Sequence, residues 1–264
     1  MPVPGLVQGK TVVVCGVGPG LGREVAKAAL RDGANVVVAA RRAEALSEHA
    51  KKLDPSGERV LAVVTDVRDE VQCGELMSAA AGRFGSVDAI VQVAALDALF
   101  GNLDSTPAEG FGKAVAINVT GAIQIARAAV PHMKKAGGGS IVLIGSQSMW
   151  YPSIAPQLAY ASSKGGLLSA MYHMVHELGP SKIRVNMVIP TWMWGPPVAG
   201  FVRAEAKRRG IPESDVIAGI TQNMPLGEIP KDDDVANACI FFCSDHARMI
   251  TGETLLVNAG ELLR

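Results

Sequence analysis

Residues 10–22, Lys-Thr-Val-Val-Val-Cys-Gly-Val-Gly-Pro-Gly-Leu-Gly, constrain what this chain can fold into more than any other stretch. The β-branched run from Thr11 to Val14 reads as a strand buried on both faces. It leads without a break into Gly16, Gly18, Gly20 and Gly22, and residues 23–30 then have the composition of a helix. A strand, a glycine turn and a helix in that order form a nucleotide-binding opening. The turn must be tight, and a backbone without Cβ atoms lets a pyrophosphate approach. The helix N-terminus adds free N–H groups and the positive end of its dipole. A glycine-rich turn with no ligand is the competing reading, and the rest of the chain decides between them.

With 264 residues the chain is long enough for one α/β domain spanning 1–264. Lysine plus arginine equals aspartate plus glutamate at 25 each, so no charge excess points to nucleic acid or an anionic membrane. Apolar residues make up 48%, yet no uninterrupted run reaches the ~20 residues of a membrane span. The first six residues lack the basic and apolar regions of a signal peptide, and the expectation is a cytoplasmic protein. Cys15, Cys73, Cys239 and Cys243 show no CxxC spacing and read as buried thiols. His173 and His176 lack an evident third ligand, so no metal site is expected.

Apolar runs at 36–39, 60–64, 89–93, 141–144, 185–189 and 255–257 read as further strands. Helical patterns occupy 42–53, 69–84, 111–135, 158–178 and 232–243 between them. Alternation this regular predicts a Rossmann-type, doubly wound parallel sheet of about seven strands with helices on both faces. Two stretches interrupt it, residues 145–157 and 190–230, each after a strand's carboxyl end. Open α/β sheets bind ligands there, so substrate is expected between the two, with 190–230 as a helical lid.

Tyr160-Ala-Ser-Ser-Lys164 starts the predicted 158–178 helix, where positions four apart share a face. A fixed ammonium near a phenol of ordinary pKa ~10 favours the phenolate and fits it for proton transfer. Three further segments then make the chain resemble the classical short-chain dehydrogenases/reductases. Residues 15–22 are similar to that family's TGxxxGxG with Cys15 for Thr, and Asn118-Val-Thr-Gly121 to its NxxG. Ser146 precedes the YxxxK pair by the usual interval, and Asp66, Pro190 and residues 250–258 also match.

The resemblance covers essentially the whole chain and implies an oxidoreductase that moves a hydride between a nicotinamide cofactor and a carbonyl or alcohol. By it, Tyr160 is the acid/base, Lys164 lowers its pKa and bonds the nicotinamide ribose, and Ser146 polarises the substrate oxygen. Ser148, two residues on, is the alternative for that contact. Asn118 lies at a helix kink and holds a water of a proton relay. Gly16, Gly18, Gly20, Leu21, Gly22, Val67, Ala94 and Pro190 join the cofactor site, and Asp66 bonds the adenine. The chain departs from the family at residues 92–95, where Gln-Val-Ala-Ala replaces NNAG, at Thr191 in place of glycine, and at Gly195 in place of a cofactor-bonding threonine.

The second strand ends Ala40-Arg41-Arg42. A ribose-binding carboxylate would mark NAD(H); here it is missing, and a guanidinium suited to a 2′-phosphate follows. NADP(H) is therefore preferred, with NAD(H) as the alternative should Arg41 and Arg42 be a solvated pair or Arg41 stack on adenine. Met149 and Trp150 in one irregular stretch and Trp192, Met193 and Trp194 in the other are candidates, with Ser148, for a pocket taking a hydrophobic ketone, aldehyde or secondary alcohol. The same aromatic residues would alternatively pack the loops onto the domain. An NAD-linked alcohol or hydroxysteroid-type dehydrogenase and a non-catalytic dinucleotide-binding sensor are the other functional readings. The 111–135 and 158–178 helices carry long apolar stretches that call for burial on both sides. In the family this chain resembles, these two helices pair with their symmetry mates, which implies a homotetramer, with a dimer as the alternative.

Overall fold

The computed structural model describes residues 5–152 and 156–264, so part of the 145–157 stretch and the first four residues lie outside the description. Seven strands, β1 (Thr11–Cys15), β2 (Asn35–Ala40), β3 (Val60–Val64), β4 (Ala89–Gln92), β5 (Gly139–Ile144), β6 (Ile183–Pro190) and β7 (Thr254–Val257), form one sheet. Its order is β3-β2-β1-β4-β5-β6-β7 and every pairing is parallel. From β1 the chain builds outward to β3, then returns to lay β4 on β1's other edge. That reversal leaves a crevice at the carboxyl ends of β1 and β4.

Burial on both faces explains the continuous apolar runs. Val12, Val14, Val36, Val38 and Val142 point into one core with α1 (Leu21–Arg31), α2 (Ala43–Leu53) and α9 (Asp232–Cys243). Val13, Cys15, Val37, Ile141 and Leu143 point into the other with α3 (Glu70–Phe84), α5 (Ala122–Ala136) and α6 (Leu158–Leu178). The period-two alternation of strand side chains thus divides each run between two cores. All four cysteines are buried free thiols, and burial pushes Cys73 up to about 11 and Cys243 up to about 12.

Asp69 is the N-cap of α3, its Oδ1 accepting from Val71 N at 3.0 Å and Gln72 N at 3.1 Å, and Gly85 ends the helix at φ 90°. Before α5 lies α4 (Ala108–Val115), joined to it by a π-helical turn, Ala116–Gly121. Together they make a 29-residue helix, Ala108–Ala136, long and apolar enough by composition to cross a membrane. Lys113 and Arg127 interrupt its apolar residues, which is why the sequence shows no uninterrupted span. Ile125, Ala126, Ala129 and Met133 are buried in the domain core, the arrangement of a core helix. After β6, α7 (Pro196–Arg209) and α8 (Glu213–Thr221) fill most of the expected lid and pack their own cluster around Val202, Val216, Ile220 and Met224.

Candidate active site

The crevice opens into a cleft of about 860 Å³, within the range of small-molecule and cofactor sites. Gly16, Gly18, Gly20, Leu21 and Gly22 form its floor at the end of β1. Gly16 has φ 101°, and a Cβ there would lie 2.3 Å from Ala94 N; a Cβ on Gly22 would lie 2.3 Å from Gly16 O. These two glycines close the turn against β4 and against itself. Gly18 has open space around the position of its missing Cβ, so backbone alone faces the cleft. A cradle of this shape at the start of α1 fits a pyrophosphate.

The end of the cleft beside β2 is lined by Ala40, Arg41, Arg42, Asp66 and Val67, and Ala94 also lines the cleft. Arg68 clamps the Asp66 carboxylate with contacts of 2.6–3.2 Å, and this bond holds the carboxyl down at about 2. Arg41 adds to the effect through its charge. Arg41 and Arg42 are exposed at the cleft rim.

At the other end β5 delivers Ser146, a 3₁₀ turn delivers Ser148, and the first turns of α6 deliver Tyr160 and Lys164. The Ser146 and Ser148 hydroxyls are 2.9 Å apart, and Ser146 also bonds the Tyr160 side chain. Lys164 Nζ is buried 5.6 Å from the Tyr160 ring centre and donates to Ile144 O at 2.6 Å. Desolvation draws the Lys164 ammonium down to about 8, opposed by the Asp97 charge. Burial raises the Tyr160 phenol, partly offset by the Ser146 hydrogen bond. In the protein alone, burial and the Asp97 charge act to raise the phenol, and the Ser146 hydrogen bond acts to lower it.

Asn118 sits in the π-helical turn, an irregularity that occurs often at functional sites. Its Oδ1 accepts from Leu96 N at 2.7 Å, and its Nδ2 donates to Leu96 O at 3.1 Å and Ser163 Oγ at 2.9 Å. The side chain thus ties the loop after β4 to α6. Both amide hydrogens are engaged, so a water held by this residue would sit elsewhere, on its main chain.

The pocket candidates divide. Ser148, Trp192 and Met193 line the cleft, with Pro190 beside them, and the Trp192 ring lies 5.2 Å from Phe201 of α7. Met149 and Trp150 do not line it. They pack on the α3/α5/α6 core, with the Arg264 guanidinium 4.2 Å over the Trp150 ring. Trp194 lines a separate shallow recess with Arg23, Pro196 and Lys231. The apolar wall instead includes Val198, Phe201 and Ile220 of the lid, which the tryptophan count did not single out.

Three acidic residues in the cleft also escaped the sequence reading: Asp97, Asp232 and Glu261. Glu261 belongs to a C-terminal turn in which Ala259 (φ 53°) and Gly260 (φ 85°) bend the chain back over the active site. Its Oε2 accepts from Gln147 Nε2 at 2.6 Å and from the Thr191 hydroxyl. The departure from the family at Thr191 thus has a partner more than sixty residues away. Gln92, the departure after β4, is buried and reaches Ala94 O at 3.3 Å.

A glycine cradle at a sheet switch point, with a serine, a tyrosine and a lysine at its far end, defines a nicotinamide-dependent oxidoreductase site. The comparisons agree. A family model described as enoyl-(acyl carrier protein) reductase matches residues 16–261. L-rhamnose 1-dehydrogenase (NAD(P)(+)) of Azotobacter vinelandii is 35% identical over 261 residues, covering 97% of each chain. Dehydrogenase/reductase SDR family member 4 of Mus musculus is 31% identical, covering 96% of this chain and 88% of that protein. A short-chain type dehydrogenase/reductase from Mycobacterium ulcerans superposes with a TM-score of 0.87 at 26% identity, over 97% of this chain and 91% of its own. The chain belongs to the short-chain dehydrogenase/reductase family, whose members use an NAD(P) cofactor.

Proposed function

We propose that the protein interconverts a ketone or aldehyde and the corresponding alcohol with NADP(H) as the preferred cofactor, and that Ser146, Tyr160 and Lys164 carry the chemistry. The observation behind this reading is the convergence of these three side chains in the cleft that holds the glycine turn. When bound, the nicotinamide supplies or accepts the hydride and, oxidised, adds a positive charge beside the phenol. In the reductive direction the Tyr160 hydroxyl gives its proton to the substrate oxygen. Ser146 donates a hydrogen bond to the same oxygen and is itself oriented by Ser148. Lys164 holds the ribose and stands ready to return a proton to Tyr160. Asn118 fixes α6 against the loop after β4, which keeps Tyr160 and Lys164 in register.

Cofactor choice rests on Ala40, Arg41 and Arg42, since no carboxylate stands at the end of β2 and two guanidinium groups follow it. The glycine cradle, Leu21, Val67, Ala94 and Pro190 would hold the rest of the dinucleotide. The Trp192, Val198, Phe201 and Ile220 wall favours a substrate with an apolar body. Incubation of purified protein with hydrophobic carbonyls and either NADPH or NADH, read at the reduced-nicotinamide absorbance, tests the proposal. Turnover with NADPH at a higher kcat/KM is expected, and no turnover with either cofactor across the series would overturn it.

The homotetramer is part of the same proposal. Val115 of α4 and Tyr172 of α6 are 45% and 48% exposed, and they lie on the adjoining helices that carry Asn118 and the Tyr160–Lys164 pair. A two-fold pairing of these helices would cover both side chains. Light scattering at micromolar concentration should give about four times the 27.5 kDa chain mass; an active monomer would refute it.

A further inference from the structure

We infer that Glu261 is a specificity-determining acceptor in the substrate site, and that the substrate carries a hydroxyl group close to its reacting carbon. The inference rests on the reading of this cleft as the site of oxidoreduction. It starts from a chain of hydrogen bonds whose direction is fixed at every link. Asn258 Oδ1 accepts from Gly260 N at 3.0 Å, so its Nδ2 is the donor to Leu262 O at 2.9 Å and to Gln147 Oε1 at 3.2 Å. Gln147 has thereby committed its oxygen, and its Nε2 is the group that donates to Glu261 Oε2 at 2.6 Å. The Thr191 hydroxyl donates to the same oxygen. Asn258 and Gln147 are only 5% and 6% exposed, so neither amide turns over without leaving buried groups unpaired.

Two donors therefore hold one oxygen of Glu261. The other, Oε1, takes no hydrogen bond from any described residue, while Glu261 itself lines the cleft. A carboxylate offers acceptors only. The site thus presents an acceptor beside the reacting centre: Gln147 directly follows Ser146, and Thr191 directly follows Pro190. A ligand that is apolar throughout would cover this oxygen and leave it unbonded. A hydroxyl on a carbon near the carbonyl would pair with it, which is worth about tenfold to a hundredfold in affinity.

The charges around it select the same chemistry. Asp97 is the other carboxylate near the reacting groups, since its field raises both Tyr160 and Lys164. The cleft's guanidinium groups, Arg41 and Arg42, lie at the end of the cleft beside β2. An anionic substituent would meet two carboxylates here, with Lys164 already committed to Ile144 O and the ribose. A neutral hydroxyl donor meets a matched acceptor.

The test is calorimetric titration of the protein saturated with NADPH, a complex in which alcohols bind without turning over, using cyclohexanol and trans-cyclohexane-1,2-diol as probes. The wild type is expected to bind the diol at least tenfold more tightly than cyclohexanol. In Glu261→Gln the advantage should fall to a few-fold at most, because an amide that turns its oxygen to Gln147 and Thr191 offers the hydroxyl a neutral donor in place of a charged acceptor. Equal affinities in the wild type, or the full advantage retained in the variant, would overturn the inference. The wild-type comparison decides alone if the variant does not fold. Oxidation of both probes with NADP⁺ separates the two readings: a diol advantage in binding with no turnover of either probe supports the acceptor at Glu261 and counts against oxidoreduction.

Discussion

The carboxylate of Asp232 stands where a side chain at position 195 would begin: a Cβ on Gly195 would lie 2.4 Å from Asp232 Oδ2. Gly195 has extended backbone, φ −153°, so the demand for glycine comes from space and not from its torsion. Asp232 opens α9, is nearly buried, and has its carboxyl raised by that burial and by neighbouring Glu24. Gly195→Thr should cost about 1–3 kcal/mol through overpacking, and Asp232→Ala in the same chain should restore most of the loss. Thermal melts of the single and double variants check this. An unchanged melting temperature in Gly195→Thr would show that Asp232 moves aside freely.

Tyr160→Phe removes one hydroxyl and keeps the ring, whose centre lies 5.6 Å from Lys164 Nζ. Turnover should fall by about two to four orders of magnitude while the cofactor dissociation constant stays within a few-fold of wild type. A variant that turns over near the wild-type rate would place the proton donor elsewhere.

Ala40→Asp with Arg41→Ala exchanges two determinants at the end of β2. The ratio of kcat/KM for NADPH to that for NADH should fall by at least tenfold, because a carboxylate accepts from a ribose hydroxyl and repels a 2′-phosphate. An unchanged ratio would move the selectivity to Arg42 or beyond.

Lys164 gives stability a pH dependence of known sign. Burial holds it at about 8, below the ~10.4 of a free lysine, so between these values the unfolded chain binds a proton that the folded chain has shed. Stability therefore rises with pH across that window. Below pH 8 both states are charged and the full cost, roughly 3 kcal/mol, is present; above the free value both are neutral and it is gone. Urea unfolding of wild type and Lys164→Met at pH 7 and pH 10 isolates this contribution, since other groups cancel in the difference. Wild type should gain on the variant by up to about 3 kcal/mol, and a constant difference would show that Lys164 is not desolvated.

Much of this site is legible in the chain because its parts are local. The β1–glycine–α1 turn is written in thirteen consecutive residues, since a turn that tight admits few other sequences. The α6 boundaries, Leu158–Leu178, and those of α9, Asp232–Cys243, follow from helical composition. Ser146 is readable because it directly follows an apolar strand, and the YxxxK pair because four residues make one helical turn.

What escaped reading depends on residues far apart in the chain. Trp150 and Trp194 are as aromatic as Trp192, but only packing decides which of them faces the cleft; Arg264 covers the first and Lys231 lies beside the second. The ionisation of Tyr160 depends on how deeply the phenol itself is buried, a property of the assembled core and not of a motif. Glu261 meets Thr191 and Gln147 across 70 and 114 positions, and Asp232 meets Gly195 across a lid of two helices. By itself the sequence determined the strand-and-helix order, the glycine turn after β1 and the positions of Ser146, Tyr160 and Lys164, because each is a short-range pattern of shape and hydrogen bonding. Tertiary structure alone decided that Glu261 lines the cleft, because that follows from the path of a C-terminal turn no local propensity describes.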